Sequence, residues 1–332
     1  MEFTQILESF RSLGGIAENI ELRNSSFGRG LIPIKGNLPV NIYTPSNLLP
    51  DFESVALDKN QQIRLDLNPH PSSRFVSFYE NYQKYFGWGY GGLKAEQNYQ
   101  DRLDKLPSSI KKILLVYGWT HSDFGKKSAN QHLNAYLVSR KIRIGKTSKL
   151  MPIIELLNHS NHGTNFLIDQ GIKITGVFKD EILVNYHNSL DAFHFLKNYR
   201  FSSPATTILS CDVEIKVSDG LSIKISRFDQ LSEIKNNTKM PKVEQQGHLI
   251  KISYLEISNK THPTEPKNCF NELLRPFAIK PEVINLLFSG LVSHNHQILT
   301  ELIKECKLNP SEMSNQILQT AQDVIQSIDG KR

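Results

Sequence analysis

Hydrophobic and polar positions change rhythm several times along the chain. Over roughly the first 60 residues, short β-type runs at Ile20–Leu22, Gly30–Ile34 and Val40–Tyr43 are punctuated by Gly14-Gly15, Gly28, Gly36 and Pro39, a pattern that predicts short strands in a meander. From about Asn68 to Ser128 the periodicity fades into a Tyr-, Gly- and Lys-rich stretch that includes Phe86-Gly87-Trp88-Gly89-Tyr90-Gly91-Gly92. An irregular insertion is expected there, with helical pieces around Phe75–Tyr85 and Ser108–Tyr117.

A clearer helix is predicted at Ser128–Lys141, where Ala129, Leu133, Tyr136, Leu137 and Arg140 recur at helical spacing. That spacing places Arg140 on the apolar stripe, where a guanidinium is paired, faces a ligand, or snorkels to water from the stripe's end. Strands are expected again at Gly171–Phe178 and Glu181–Tyr186, then a helix at Leu190–Asn198 capped by Asn188 or Ser189.

The turn Val217-Ser218-Asp219-Gly220-Leu221 predicts a hairpin joining Ile208–Val217 to Leu221–Phe228, and the polar stretch Glu233–Gln246 reads as a loop. After a strand at His248–Ile257 the chain turns helical, with Pro281 and Pro310 in first helical turns and a stripe of Met313, Ile317, Ala321, Val324 and Ile328.

Composition narrows the class without naming an activity. The 332 residues carry 39 Lys and Arg against 33 Asp and Glu, a net +6, and 39% are apolar, values of a globular chain rather than a collagenous or disordered one. No apolar run reaches the ~18 residues of a membrane span, and the start MEFTQILESFRSLGG, with Glu2 and no small-residue cleavage site, reads as a native intracellular N-terminus. Cys211, Cys269 and Cys306 are too few and too scattered for a disulfide framework or a zinc site. The basic runs at Lys111-Lys112, Lys126-Lys127 and Arg140–Lys149 lack interleaved aromatics, so a solvated face is expected rather than a nucleic-acid platform. No metal, no membrane and a cytoplasmic location, or a nuclear one in a eukaryote, follow as expectations, as does a monomer.

Three local patterns could carry chemistry. Phe27-Gly28-Arg29-Gly30-Leu31 is a Gly-x-Gly entering a strand, where the backbone can approach a ligand; taken alone, such a pair reads as a turn. It lacks the dinucleotide spacing, and no phosphate-binding loop occurs elsewhere. Pro152-Ile153-Ile154-Glu155-Leu156-Leu157-Asn158-His159-Ser160 is an apolar run ending in an amide and an imidazole, which need fixed partners if buried; a strand-end cap or a ligand site would both provide them. Tyr186 precedes Tyr199-Arg200-Phe201 by thirteen residues across the helical stretch, so the two tyrosines are either core residues or converge on one cavity.

In this order, Gly28-Arg29-Gly30-Leu31, Ser139-Arg140, Pro152–Ser160 and the Tyr186–Phe201 unit resemble the SET-domain methyltransferases, in the branch typified by the Rubisco large-subunit lysine methyltransferase. The resemblance implies an α+β fold: small curved sheets with a pseudoknot and a helical insertion at about 66–130 within a domain spanning 1–201. A mainly helical C-terminal domain with a β-hairpin, 202–332, would serve as substrate platform. It implies S-adenosyl-L-methionine as cofactor, received by the backbone at Phe27, Gly28, Arg29 and Gly30, with its carboxylate on Arg140 and its adenosyl part on Asn158 and His159. Tyr199 becomes the catalytic tyrosine, Tyr186 its companion, and Glu155 and Phe166 neighbours of the target side chain.

The implied reaction transfers a methyl group to a lysine, or a histidine, of a non-histone protein. It is an in-line displacement, so alignment of a neutral amine matters most. A lysine amine with an ordinary pKa of ~10.4 must first lose its proton, which desolvation and a neighbouring sulfonium both favour. The chain departs from the family pattern where Arg200 replaces a glycine, where Glu155 replaces an aspartate, and where Phe166 stands in place of a tyrosine after Asn-His. Arg200 and the missing tyrosine are the support for the alternative, a catalytically silent SET-like interaction module.

Overall fold

The computed structural model describes residues 1–66, 72–186, 191–204, 206–218, 220–227, 234–235, 238–239 and 241–330. They form two compact units: Met1–Gln100 with Lys126–Tyr186, and Asp101–Gly125 with His187–Arg332.

The first unit opens with α1 (Phe3–Ser12), whose Ile6, Leu7 and Phe10 turn one face inward. A mixed-length antiparallel sheet follows, in the order β1 (Ile16–Glu18), β4 (Pro39–Pro45), β11 (Gly171–Val177), β10 (Leu167–Ile168). Its central strands alternate as the period-two pattern requires: Val40 and Ile42 on β4 and Ile172 and Ile174 on β11 are buried on one side. The intervening β2 (Ile20–Ser25) and β3 (Gly28–Pro33) pair as a separate antiparallel hairpin.

Two further ribbons belong to this unit, β5 (Val55–Leu57) with β6 (Ile63–Leu65), and β7 (Lys141–Ile144) with β8 (Thr147–Leu150). Between them run α2 (Ser73–Tyr85), α3 (Gly92–Asp104), whose residues up to Gln100 are in this unit, α4 (Ser108–Val116) in the other, and α5 (Ala129–Val138). The insertion is therefore largely helical. Helix α3 was not expected: its start is disguised by Gly91, left-handed at φ 107°, which ends the preceding turn so that Gly92 can begin a helix.

The expected strand at Glu181–Tyr186 shrinks to β12 (Leu183–Val184), which runs parallel to β9 (Asn158–Thr164) with a register shift between its two residues. Glu181 and Tyr186 lie just outside its two paired residues.

In the second unit α6 (Ala192–Tyr199) is capped by Asp191, whose carboxylate accepts from the His194 amide at 2.9 Å. The caps expected at Asn188 and Ser189 lie outside the described residues. The single strand expected at Ile208–Val217 is two: β13 (Thr207–Leu209) and β14 (Val213–Ser218) enter different sheets. The β14–β15 (Leu221–Ser226) hairpin forms as expected, with Asp219 of its turn outside the described residues.

Beyond two short strands, β16 (Ile234–Lys235) and β17 (Thr238–Lys239), the stretch expected as loop supplies β18 (Lys242–Gln246). It pairs with β19 (Leu249–Ser253), which lies parallel to β15 so that Ile223 and Ile225 face Ile250 and Ile252, all fully buried. Polar side chains thus hid a strand whose neighbours supply the apolar face. β20 (Glu256–Asn259) pairs with β13, and α7 (Glu265–Leu274), α8 (Pro281–Leu308) and α9 (Glu312–Ile328) complete the unit. Pro281 is at the first helical position, whereas Pro310 precedes the Ser311 cap of α9 rather than entering its first turn.

The α+β class with small sheets is as expected. The units do not follow the boundary at residue 201: residues 101–125 and 191–201 cluster with the C-terminal segments, and the Tyr117 ring stacks on Phe193 at 4.4 Å. Among the described residues no helix is long and apolar enough to cross a membrane.

Candidate functional site

In the first unit the glycine pair lies on the β2–β3 hairpin. Ser25 Oγ accepts from the Phe27 amide and donates to the Gly28 carbonyl, each at 3.0 Å, closing a turn in which Gly28 takes φ 103° and Phe27 is 57% exposed. A side chain at Gly28 would meet open space, whereas a β-carbon at Gly30 would fall 2.5 Å from Asn158 Nδ2 and overlap Glu181 Oε1. The two glycines therefore differ in purpose: one permits the backbone turn, the other a close approach of side chains. On the same face of β3, Ile32 lies in a cleft of about 670 Å3 between the hairpin tip and residues 177–183.

The Pro152–Ser160 block contains a strained turn. Ile153, buried and β-branched, sits at φ 70° and ψ −52°, a region such residues rarely adopt. The Thr44 hydroxyl holds the Pro152 carbonyl at 3.2 Å, and a single 3-10 turn at Ile154–Leu156 presents Glu155. Beyond it, Asn158 Nδ2 donates to Glu181 Oε1 at 2.7 Å.

His159 Nδ1 accepts from the Tyr186 amide at 3.2 Å, so its proton is on Nε2, which lies 3.1 Å from Asn161 Oδ1. Burial holds this imidazole below its usual range, and it is neutral at pH 7. The Tyr186 hydroxyl donates to the Leu157 carbonyl at 2.6 Å, which fastens this tyrosine to the same block.

Arg140 lies one residue beyond the C-cap of α5, not on the helix itself. Its guanidinium nevertheless covers the Tyr136 ring, 3.6 Å from the centroid, and donates to the Tyr136 carbonyl at 3.0 Å and to Ser139 Oγ at 2.7 Å. No carboxylate pairs with it among the described residues. Burial works against its charge, but Tyr136, Glu155, Tyr186 and Tyr82 together raise its pKa above the ordinary value.

Burial pushes the Glu155 carboxyl above the usual carboxylate range, against the pull of Arg140, a hydrogen bond from the Tyr82 hydroxyl and a 3.1 Å hydrogen bond from Gln83 to Oε1. Burial also raises the phenols of Tyr79, Tyr82 and Tyr136, which stay neutral.

Three contributors were not anticipated: Gln83, Glu181 and Tyr90. Gln83 is 1% exposed; its amide nitrogen serves Glu155 and Tyr79, and its oxygen accepts from the Trp88 amide at 3.1 Å. A β-carbon on Gly87 would collide with it, which explains one glycine of the Phe86–Gly92 stretch. Arg29 donates to the Phe86 carbonyl and lies 3.9 Å from the Tyr90 ring centroid, so the same stretch holds the side chain between the two glycines. The only sequence signal was that cluster of glycines and aromatics.

The first unit thus brings together Gly28, Arg29, Gly30, Arg140, Glu155, Asn158, His159 and Tyr186, with Phe27 exposed at the cleft. Phe166 is half-buried against the same core. Tyr199 belongs to the second unit, at the end of α6 beside Phe195 and Phe201, and burial pushes its phenol up to about 12. Arg200 ends that helix in the left-handed conformation at φ 69°, the conformation for which glycine is the usual residue.

No protein-family model and no curated protein matches the sequence. Among solved structures, the chain is similar to the SET domain of LSMT bound to lysine and AdoHcy, at 9% identity and a TM-score of 0.42, over 98% of this chain and 89% of that one. It is also similar to Rubisco LSMT bound to AdoMet, at 11% and 0.43 over 98% and 90%. A third, Rubisco LSMT bound to sinefungin and monomethyllysine, aligns at 10% and 0.46 over 98% and 89%.

Proposed function

We propose that the protein is an S-adenosylmethionine-dependent methyltransferase acting on a lysine, or a histidine, of a non-histone protein. The observation that supports this most is the meeting, within one unit, of the glycine-pair hairpin with the Asn158-His159 block, beside an arginine that has no carboxylate partner among the described residues. The residues fit the cofactor: Arg140 offers a cation to a carboxylate, Gly28 leaves open space at the hairpin, and Asn158 and His159 are held rigidly by their own partners.

When bound, S-adenosylmethionine supplies a methyl carbon made electrophilic by a sulfonium. The chain's residues then have to bind and align. Arg140 would hold the carboxylate, the backbone at Phe27, Gly28, Arg29 and Gly30 would receive the cofactor, and Asn158 and His159 would hold its adenosyl part. Tyr199, neutral because burial raises its pKa, would orient the acceptor nitrogen by its hydroxyl. Transfer forms the N–C bond as the S–C bond breaks, and the nitrogen's proton leaves beforehand to water. Tyr186 and Phe166 would wall the acceptor channel.

Incubation with methyl-labelled S-adenosylmethionine and a lysate of the source organism, followed by mass spectrometry, tests the reading. Label on lysine or histidine supports it, and its loss in Tyr199→Phe, with the protein folded, supports the tyrosine's role. Saturable cofactor binding without labelling would leave the silent interaction module in its place.

A further inference from the structure

The Phe86–Gly92 stretch has no role in the reaction as proposed, yet it is tied to two segments that the cofactor would meet. Its 3-10 turn at Trp88–Tyr90 is held from behind. The Trp88 amide donates to Gln83 Oε1 at 3.1 Å, and the same Gln83 side chain donates to Glu155 of the Asn-His block. The Trp88 indole donates to the Gln61 carbonyl at 3.0 Å, and its ring meets Tyr136 edge-on at 5.4 Å. A β-carbon at Gly89 would overlap the Lys84 carbonyl, so the turn is pressed against the end of α2. From this fixed base Tyr90 projects outward, 64% exposed.

The β2–β3 hairpin needs an anchor of that kind. Among the described residues its two strands pair with each other and with no third strand, and a two-stranded ribbon is marginal by itself. Farther along β3, Gly30 and Leu31 are fixed by Asn158, Glu181 and the Ile182 amide. At the tip Ser25 closes the turn on its own neighbours, and a β-carbon on Gly28 would meet open space. Arg29 leaves the tip for the rest of the unit: its guanidinium donates to the Phe86 carbonyl and lies 3.9 Å from the centroid of the Tyr90 ring. A planar cation can donate at its edge and stack on its face at once. An exposed ring adds little to the core, so packing alone does not account for where Tyr90 stands.

We propose that Tyr90 is a positioning residue: by stacking on Arg29 it holds the backbone of Gly28, Arg29 and Gly30 in the conformation that receives the cofactor. This rests on the methyltransferase reading and extends it to a residue outside every segment that carries the family resemblance. A hairpin tip that is ordered beforehand loses less conformational freedom when a ligand binds.

Calorimetry with S-adenosylhomocysteine, together with amide hydrogen exchange of the ligand-free protein, tests this on Tyr90→Leu and Tyr90→Phe. Leucine removes the ring face, and phenylalanine keeps it. Tyr90→Leu should bind S-adenosylhomocysteine about two- to fivefold more weakly, the ratio that an exposed cation–π contact supports. Its β2–β3 amides should exchange faster by a similar factor, with the denaturant midpoint unchanged. Tyr90→Phe should match the unmodified protein in all three measurements. Unchanged affinity and exchange in Tyr90→Leu, or an equal loss in Tyr90→Phe, overturns the positioning role and leaves the methyltransferase reading standing. A midpoint that falls together with the affinity in Tyr90→Leu makes Tyr90 a stability residue and overturns the role as well. If S-adenosylhomocysteine shows no saturable binding to the unmodified protein, the methyltransferase reading and the cofactor role fall together, while exchange still decides whether Tyr90 orders the hairpin.

Discussion

The amide of Asn158 and the carboxylate of Glu181 meet at 2.7 Å over the face of Gly30, where any β-carbon would displace them. Three separate sequence segments are thereby locked together: the hairpin, the Asn-His block, and the residues just before β12. The Ile182 amide, which donates to the Leu31 carbonyl at 3.0 Å, adds a backbone link between the first and third of these.

Gly30→Ala should therefore break the Asn158–Glu181 contact rather than fill space. We expect a loss of about 1–3 kcal/mol in stability, as for other overpacked sites, and at least about tenfold weaker S-adenosylhomocysteine binding, since Asn158 would lose its anchor. Chemical denaturation and calorimetry measure the two effects. Gly28→Ala meets no neighbour, but φ 103° makes it strained too, so its effect should fall on stability more than on Asn158.

Arg140→Lys should not be conservative. The guanidinium lies over the Tyr136 ring and donates to two oxygens, and a lysine ammonium has neither the planar surface nor the fixed fork of donors. Ligand affinity should fall about tenfold or more with little change in thermal stability, because no ion pair is broken. Equal affinity of the two proteins for S-adenosylhomocysteine would remove Arg140 from the site.

Stability should depend on pH through Glu155. Its folded-state pKa is raised by burial above the ordinary value of 4.5, so its contribution is fully present below that value and is lost as pH rises through the raised one. The groups facing it are Arg140, whose cation opposes the shift, Tyr82 and Gln83, whose hydrogen bonds oppose it too, and the neutral phenols of Tyr79 and Tyr136. Glu155→Gln should melt higher than the unmodified protein near neutral pH, and the difference should vanish below about pH 4. A constant difference across pH would contradict this assignment.

Arg200→Gly should raise stability by about 0.5–1 kcal/mol, since glycine accepts the left-handed helix end at no steric cost. Denaturant midpoints measure it. If methyl transfer persists in this variant at an unchanged rate, the cation next to Tyr199 has no part in the chemistry.

In the second unit, Asp191 both caps α6 and pairs with Arg227, and each residue is 1% exposed. Asp191→Ala should cost about 3–5 kcal/mol, the penalty for a buried charge left alone, which urea denaturation would show. Replacing both residues by apolar ones should recover part of that loss.

Legibility followed how local the cause was. Helix α2 and the β14–β15 hairpin were readable because periodicity and turn chemistry act over a few residues. β18 was not readable: Lys242, Glu244, Gln245 and Gln246 carry no strand pattern, and the strand exists because β19 offers it hydrogen bonds. The site divides in the same way. Glycine pairs, Arg140 and Asn158-His159 announce themselves as residue types, whereas Gln83 and Glu181 are ordinary polar residues until the chain folds.

What the linear order of residues settles is the stock of chemistry: two glycines spaced for backbone approach, one arginine after a helix, an acid three residues before Asn-His, and two tyrosines thirteen apart. Which of these share a space depended on contacts between segments more than a hundred residues apart, such as Thr44 with Pro152. The state of each group was fixed there as well. Burial raises Glu155 and neutralises His159. Desolvation is a property of everything that surrounds a side chain, and no stretch of neighbours in sequence supplies it.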